Sequence, residues 1–570
     1  MDLSDLLLML LAHLALTGLP GIAATLLAAR KGVDQVPVLL AIGLVASGVV
    51  GLLGFWAFYG NRVLGETFSY FVVFGSIALA AWSLYGKQLD RGLLKQLATP
   101  LVLWAFGSAF LLLLGFVHAG TATPLATAVS RFSHALPGDN YLPLFFAEFF
   151  FEHGHHGKPP DFASFLASDR PPLQIGYALS QRSFGWDASG LHYQVLAVAL
   201  QQLWIIGLWA LLVAARVGRV TRALTMLTVL VSSLAIVNGF FVWPKMLPAA
   251  MLLAAAALVM TPLWSQVRTS LWAAALIAAL CAVALLGHGS SVFGVLALGA
   301  VALYRGAPNW RWLAVAAAVV IALMAPWSAY QKYGDPPGNR LAKWTLAGVT
   351  EIDGRGTTEA IVDSYREAGI DGTLHNKAEN FVAIGGGTVA TDMLDAALRS
   401  GSLEDVVRAV RAVSFYYLLP SMGILLASLL VMLVGHRAGR RNSDEWSFAL
   451  ACLATVAIGS VIWALLSFGN EAARTIIHVS SYLLPILLIC GLVVGLRAVV
   501  PRFAVYFLGL NALLSLLIYA PSLDPPPGTS YSLLAATMAA VALICFGAAA
   551  LLGLDRHGEP ALAVGEAQAG

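Results

Sequence analysis

Two short runs of residues could do chemistry in this chain. Pro-Gly-Asp-Asn-Tyr at 137–141 sets a carboxylate, Asp139, in a tight turn, and Ser-Asp-Arg-Pro-Pro-Leu at 168–173 sets Asp169 and Arg170 ahead of a proline pair. A carboxylate in a turn can act as a general base toward a hydroxyl, and a guanidinium can bind phosphate oxygens in bidentate fashion. Between these runs lie Glu148 and Glu152, four residues apart and so on one face of a helix, and His153, His155 and His156. Glu152, His153 and His156 are the types that hold a divalent metal ion, although neighbouring histidines in a glycine-rich loop point in different directions. The Pro-Gly-Asp-Asn turn also forms in loops without function.

The surroundings make this concentration of charge unusual. Of 570 residues, 59% are hydrophobic and 11% charged, and the mean hydropathy is +0.80. No soluble core could hide that much apolar surface, so the expected fold class is an all-α polytopic membrane protein. Apolar runs of roughly twenty residues, the length of helix that crosses about 30 Å of hydrocarbon, recur throughout. About fifteen transmembrane helices are expected: 3–29, 36–60, 64–86, 97–118, 193–216, 223–242, 245–264, 269–287, 290–304, 310–329, 413–435, 446–468, 474–496, 502–520 and 530–553.

Basic residues fix the expected orientation, because cytoplasmic loops retain Lys and Arg. Arg30/Lys31, Lys87/Arg91/Lys95, Arg216/Arg219/Arg222, Arg305/Arg311, Arg437/Arg440/Arg441 and Arg497/Arg502 fall on one side if the helices alternate. The long polar segments 119–192 and 330–412 then face outward. The first apolar run lacks a basic leader and a small-residue cleavage site, so it reads as a retained helix. The four cysteines lie inside apolar runs and indicate no disulfide framework.

In order, the chain reads as three N-terminal helices over 1–96, a membrane core over 97–329 that carries the first outer loop 119–192, a second outer loop or soluble cap over 330–412, C-terminal membrane helices over 413–553, and a cytoplasmic tail over 554–570. Interfacial helices are expected in both long outer loops, among them Ala147–His153 and Leu173–Gly185 in the first, the former with its rings in lipid and its acids in water. Thr358–Ala368 and Leu403–Val413 show helical patterning. Outer turns add further polar groups: Lys245 in Asn-Gly-Phe-Phe-Val-Trp-Pro-Lys, His288 with Ser290 and Ser291, and Arg474, His478 and Tyr482 after Glu471. Lys245 and Arg474 are candidate phosphate ligands beside Arg170. Asn140, Tyr141, Glu148, Asp169, His288, His478 and Tyr482 are candidates to line the substrate pocket.

The order of these features, an acid in a turn just before a helix (Gly138-Asp139-Asn140-Tyr141), then Asp169-Arg170-Pro171-Pro172-Leu173, then Phe184-Gly185 leading into a helix, resembles the GT-C class of polyprenyl-phosphate-sugar transferases. Protein O-mannosyltransferases and lipid A aminoarabinose transferases are the members it is most similar to. Pro326-Trp327 and the hairpins with Lys245 and His288 also fall where that class has a Pro-Trp and polar hairpins. The resemblance runs over about 97–345, and more loosely to 500. It implies that Asp139 is catalytic and that Arg170 lies near the donor phosphate.

The chain departs from the class in its three leading helices, in Asn140 where a second acid is usual, in Leu142 where aminoarabinose transferases have arginine, and in having no large domain after the last helix. The implied activity is an inverting glycosyltransferase of the bacterial cytoplasmic (inner) membrane, with its site facing outward. It would use a polyprenyl-phosphate sugar donor and a glycan, lipid or protein acceptor, and no nucleic acid. A phosphate leaving group needs no protonation, so one base and some cations suffice. A flippase of a lipid-linked glycan and a polysaccharide polymerase or ligase are the alternatives, since transporters also handle such lipids but place charge near the bilayer midplane.

Overall fold

The computed structural model describes residues 3–85, 89–134, 136–162, 165–185, 190–415, 417–437, 443–471, 479–523, 525 and 528–553. Among them regular structure is helical, apart from an isolated bridge between Phe162 and Phe165. The N-terminal part forms α1 (Leu3–Arg30), α2 (Val36–Gly60), α3 (Arg62–Leu84) and α4 (Arg91–Gly115). The first polar segment holds α5 (Leu142–His153) and α6 (Leu173–Arg182). Then come α7 (Leu191–Gln201), α8 (Trp204–Ala214), α9 (Arg219–Leu230), α10 (Ser233–Phe241), α11 (Met246–Val259), α12 (Leu271–Leu285), α13 (Ser291–Tyr304) and α14 (Trp310–Ala329). The second polar segment holds α15 (Arg340–Ala347), α16 (Thr357–Ile384), α17 (Gly387–Ser400) and α18 (Leu403–Ser414). The chain continues through α19 (Ala427–Arg437), α20 (Ser443–Leu466), α21 (Leu483–Val499), α22 (Pro501–Tyr519) and α23 (Leu533–Leu552).

Nine of the described helices are long and apolar enough to cross a membrane, or up to eleven if each bent pair counts as one span. This is a helical membrane protein, but the count falls short of fifteen for a physical reason. Several apolar runs contain a break, so the helix inside them is shorter than the run. The run at 245–264 keeps only 14 helical residues, Met246–Val259, about 21 Å at 1.5 Å per residue. Every residue of that helix is buried in protein, as expected of a helix apolar on all sides. Likewise 223–242 is two helices, α9 and α10, bent by 53°.

The N-terminal helices share one hydrophobic core with the rest of the chain. α2 crosses α6 so closely that a Cβ on Gly176 would meet the Gly51 carbonyl oxygen at 2.0 Å. Only glycine permits that approach. Ser47 and the Tyr177 hydroxyl are 2.7 Å apart across the same crossing, and His13 of α1 lies 2.7 Å from Gln181 Oε1. These ties seat α6 inside the bundle rather than flat on the interface.

α5 differs from its expected orientation in the same way. Phe146, Phe150 and Phe151 are buried in protein, and Phe150 packs edge-on against Phe55 of α2 with ring centroids 5.2 Å apart. The aromatic run is attracted to other rings, which offer better packing than lipid tails. Only the acids keep the expected outward tendency, Glu152 exposed and Glu148 half-buried.

Candidate active site

The two runs that open the sequence reading meet in space. Asp139 enters a single turn of 3-10 helix, Gly138–Tyr141, just before α5. Arg170 follows a second such turn, Ala167–Asp169. An Arg170 Nη donates to Asp139 Oδ2 at 2.9 Å, a charge-assisted bond between side chains that are both largely shielded from water. A narrow cleft opens there, lined by Asp139, Asp169, Arg170, Gln174, Trp243 and His288 among others.

A buried amide network fixes these parts. Tyr193 Oη donates to the Asn140 carbonyl at 3.2 Å, and Gln174 Nε2 donates to Tyr193 Oη at 2.7 Å and to the Val242 carbonyl at 3.0 Å. Gln201 Nε2 donates to Gln174 Oε1 at 2.9 Å. Gln201 Oε1 in turn accepts from the backbone N–H groups of Met246 and Leu247, donors that a helix start leaves unsatisfied. The chain of contacts therefore runs from the Asp139 turn to the start of α11, where Lys245 stands. Val242, in the left-handed conformation at φ 58°, turns the backbone between α10 and α11.

Lys245 is 1% exposed, and its Nζ has no hydrogen-bond partner among the described residues. It rests over the Trp243 ring at 3.4 Å from the centroid and lies 5.4 Å from that of Tyr482. Burial pulls its ammonium well below the usual lysine range, and Arg170 pulls it the same way; Asp139 opposes them. Arg170 is shifted down for the same first reason, with Asp139 and Asp169 countering. Its Nε is a second buried donor without an acceptor among the described residues. Burial, and then the positive charge of Lys245 and Arg170, shifts the His288 imidazole well below the usual histidine range, and its Nδ1 lies 2.9 Å from Ser290 Oγ.

No family model, curated protein or solved structure matches this chain. Its chemistry must be read from the cleft itself.

Of the residues singled out from sequence, Asp139, Asp169, Arg170 and His288 line the cleft, and Lys245 and Tyr482 stand together beside it. Asn140 is buried, and its Nδ2 donates to the Leu125 carbonyl at 3.0 Å, so its side chain braces the turn instead of facing substrate. Tyr141 packs with Phe145 and Phe162. Glu148, its carboxyl shifted upward first by burial, lies outside the cleft lining, as does Tyr141. Arg474 and His478 lie outside the described residues.

The metal set does not assemble. Among the described residues no three His, Cys, Asp or Glu side chains are grouped to hold an ion. His153 stacks on Phe149, and its Nδ1 lies 3.1 Å from the Phe149 carbonyl. Glu152 and His156 are exposed. Helix α5 ends at His153, so the histidines after it follow a turn and cannot share its face.

Sequence reasoning missed the second polar segment's part in the site. A π-turn, Tyr330–Gly334, follows α14 and grips Ser168 from both sides. Gln331 Nε2 donates to the Ser168 carbonyl at 3.0 Å, and Asp335 Oδ2 accepts the Ser168 N–H at 2.9 Å. Arg340 reaches Asp169 at 3.6 Å, and both Arg340 and Arg170 lie over the Phe165 ring. The amides Gln174 and Gln201 were legible in principle, since polar residues in apolar helices face the bundle interior.

Proposed function

We propose that this chain is an inverting glycosyltransferase that moves a sugar from a polyprenyl-phosphate donor to a hydroxyl of a glycan, lipid or protein. The observation that carries the reading is a pair of buried cationic donors, Lys245 Nζ and Arg170 Nε, without a protein acceptor among the described residues, beside a carboxylate in one cleft. Leaving such donors unpaired is unfavourable, and a phosphate supplies the missing acceptors.

In this reading the donor phosphate draws Arg170 away from Asp139. The freed carboxylate takes the proton of the acceptor hydroxyl, whose oxygen bonds to the anomeric carbon. The bond from that carbon to the phosphate oxygen breaks, and the electron pair leaves on polyprenyl phosphate, stabilised by Arg170 and Lys245. A single displacement inverts the anomeric centre. His288, in the cleft lining, offers hydrogen bonds. The positive-inside pattern supports a site facing away from the cytoplasm of the bacterial inner membrane, and the five shorter apolar helices among the described residues, counted as spans, support a GT-C-like topology of about fifteen helices.

The test is transfer by the full chain in lipid nanodiscs supplied with labelled polyprenyl-phosphate sugars. Asp139→Asn should reduce acceptor-dependent release of polyprenyl phosphate by about 10²-fold or more; full activity would remove the proposed base. A second reading, a flippase for lipid-linked glycan, draws on the 53° break between α9 and α10, one helix ahead of Lys245, since transporters use broken helices at their sites. Vesicles that move labelled lipid-linked sugar without forming product would favour it.

A further inference from the structure

The second polar segment reads from sequence as a soluble cap, yet part of it carries large apolar side chains in the open. Gly369, at φ 64°, kinks α16, and the half that follows is docked on the end of a membrane span. Asn380 Nδ2 donates to the Ala464 and Ser467 carbonyls at 2.9 and 3.0 Å, and Lys377 donates to the Ser467 carbonyl. Those acceptors lie at the C-terminal end of the span Asp444–Leu466. This half of α16 is therefore level with the edge of the hydrocarbon layer.

Its faces are sorted. At about 100° per residue, Ile370, Leu374, Ala378 and Phe381 form one stripe directly beside the Lys377 and Asn380 edge that meets α20, while His375 and Glu379 point away. Ile370 is 79% exposed, Leu374 63% and Phe381 45%. After a 46° bend, α17 repeats the pattern. Leu394 and Leu398 are exposed along one line of the helix, and Asp392, Asp395 and Arg399 along another. Near the docking point α20 itself exposes Val461 and Leu465, so a membrane span and the helix docked on its end both carry large apolar side chains in the open.

We infer that the second half of α16 together with α17 is a membrane-seated bracket whose partner is the lipid bilayer. The apolar stripe enters the acyl region of the leaflet on the cleft side, and His375, Asp392, Asp395 and Arg399 stay at the headgroup level. A span flank is already covered by lipid, and the stripe lies on the helix docked at the end of that span, which selects bilayer over a protein partner. The inference stands whether or not the cleft transfers sugars.

Spin labels test it on the full chain in vesicles of phosphatidylethanolamine and phosphatidylglycerol, with wild type, which retains its four cysteines, as the blank. Labels at Leu374→Cys, Phe381→Cys and Leu398→Cys should collide several-fold more with oxygen, and several-fold less with a water-soluble nickel chelate, than labels at His375→Cys and Asp395→Cys. Equal access of the chelate to both sets would overturn the inference. So would low access of both reagents to the apolar set, which would mean protein covers the stripe. Ile370→Cys replaces any of the three that does not fold.

Discussion

The Asp335 carboxylate accepts the backbone N–H of Ser168 at 2.9 Å across 167 residues of sequence. With Gln331 on the carbonyl of the same residue, it holds the two successive peptide groups that flank Ser168, directly before Asp169 and Arg170. The position of the arginine that meets Asp139 is thus set by a turn at the end of α14. Asp335→Ala should leave the buried Ser168 N–H unpaired, at about 1–3 kcal/mol of stability, and should let Arg170 drift. Transfer should fall by up to about 10²-fold, as expected for a misplacement near 1 Å, with donor KM rising. Gln331→Ala should follow in milder form. Steady-state kinetics and thermal melts of both variants check this; a stability loss with unchanged donor KM would reduce the clamp to scaffolding.

Lys245 has the opposite balance of stability and function. A buried cation that meets ring faces but no hydrogen-bond acceptor among the described residues is destabilising, and an apolar side chain of similar length removes that burden. Lys245→Met should raise Tm while donor affinity falls by at least about tenfold, a stability–function exchange typical of binding sites. Thermal melts and calorimetric titration of phosphate lipid into wild type and variant check the two halves of this exchange.

Arg170→Ala should weaken use of the donor more than use of the acceptor, because in the proposed mechanism its guanidinium binds the phosphate. Kinetics with each substrate varied in turn distinguish the two, and equal losses would argue against phosphate contact. Arg170→Lys should recover only part of the loss, since an ammonium cannot bind in bidentate fashion.

Much of the site was legible because its parts carry local signals. Turn chemistry marked Asp139, the proline pair marked Arg170, and a lysine in an aromatic hairpin marked Lys245. The patterned stretches Thr358–Ala368 and Leu403–Val413 fall within α16 and α18. What sequence could not give was tertiary choice. The rings of α5 read equally well as facing lipid or protein, and the packing of Phe150 on Phe55 decided it. Asp335 sits in a Gly-Asp-Pro-Pro stretch that looks like any turn, and its role depends on a partner in a distant loop. Apolar runs showed where helices lie but not where a left-handed residue such as Val242 ends them.

The histidine-rich turn after α5 offers a test that needs no donor. Glu152→Ala, His153→Ala and His156→Ala combined should leave the purified chain's metal content and thermal stability unchanged. Elemental analysis of wild type and variant decides it, and loss of a stoichiometric metal from the variant would show that the turn rearranges to bind one.

Asp169 gives a pH dependence whose sign separates two forces. Burial raises its carboxyl pKa, while the Leu166 N–H it accepts, Arg340 and Arg170 act the other way. With burial the larger, the folded state holds the proton more tightly than the unfolded chain does. The stabilisation from this group is complete below the unfolded pKa of about 3.9 and is lost as pH rises through the higher folded value. Asp169→Asn keeps an oxygen for the Leu166 N–H and has no proton to lose. The Tm of the variant relative to wild type should therefore climb as pH rises from about 3.9 and then level off, measured by thermal melts at matched pH. A gap that falls over the same interval would mean that the ion pair with Arg340, at 3.6 Å, outweighs burial.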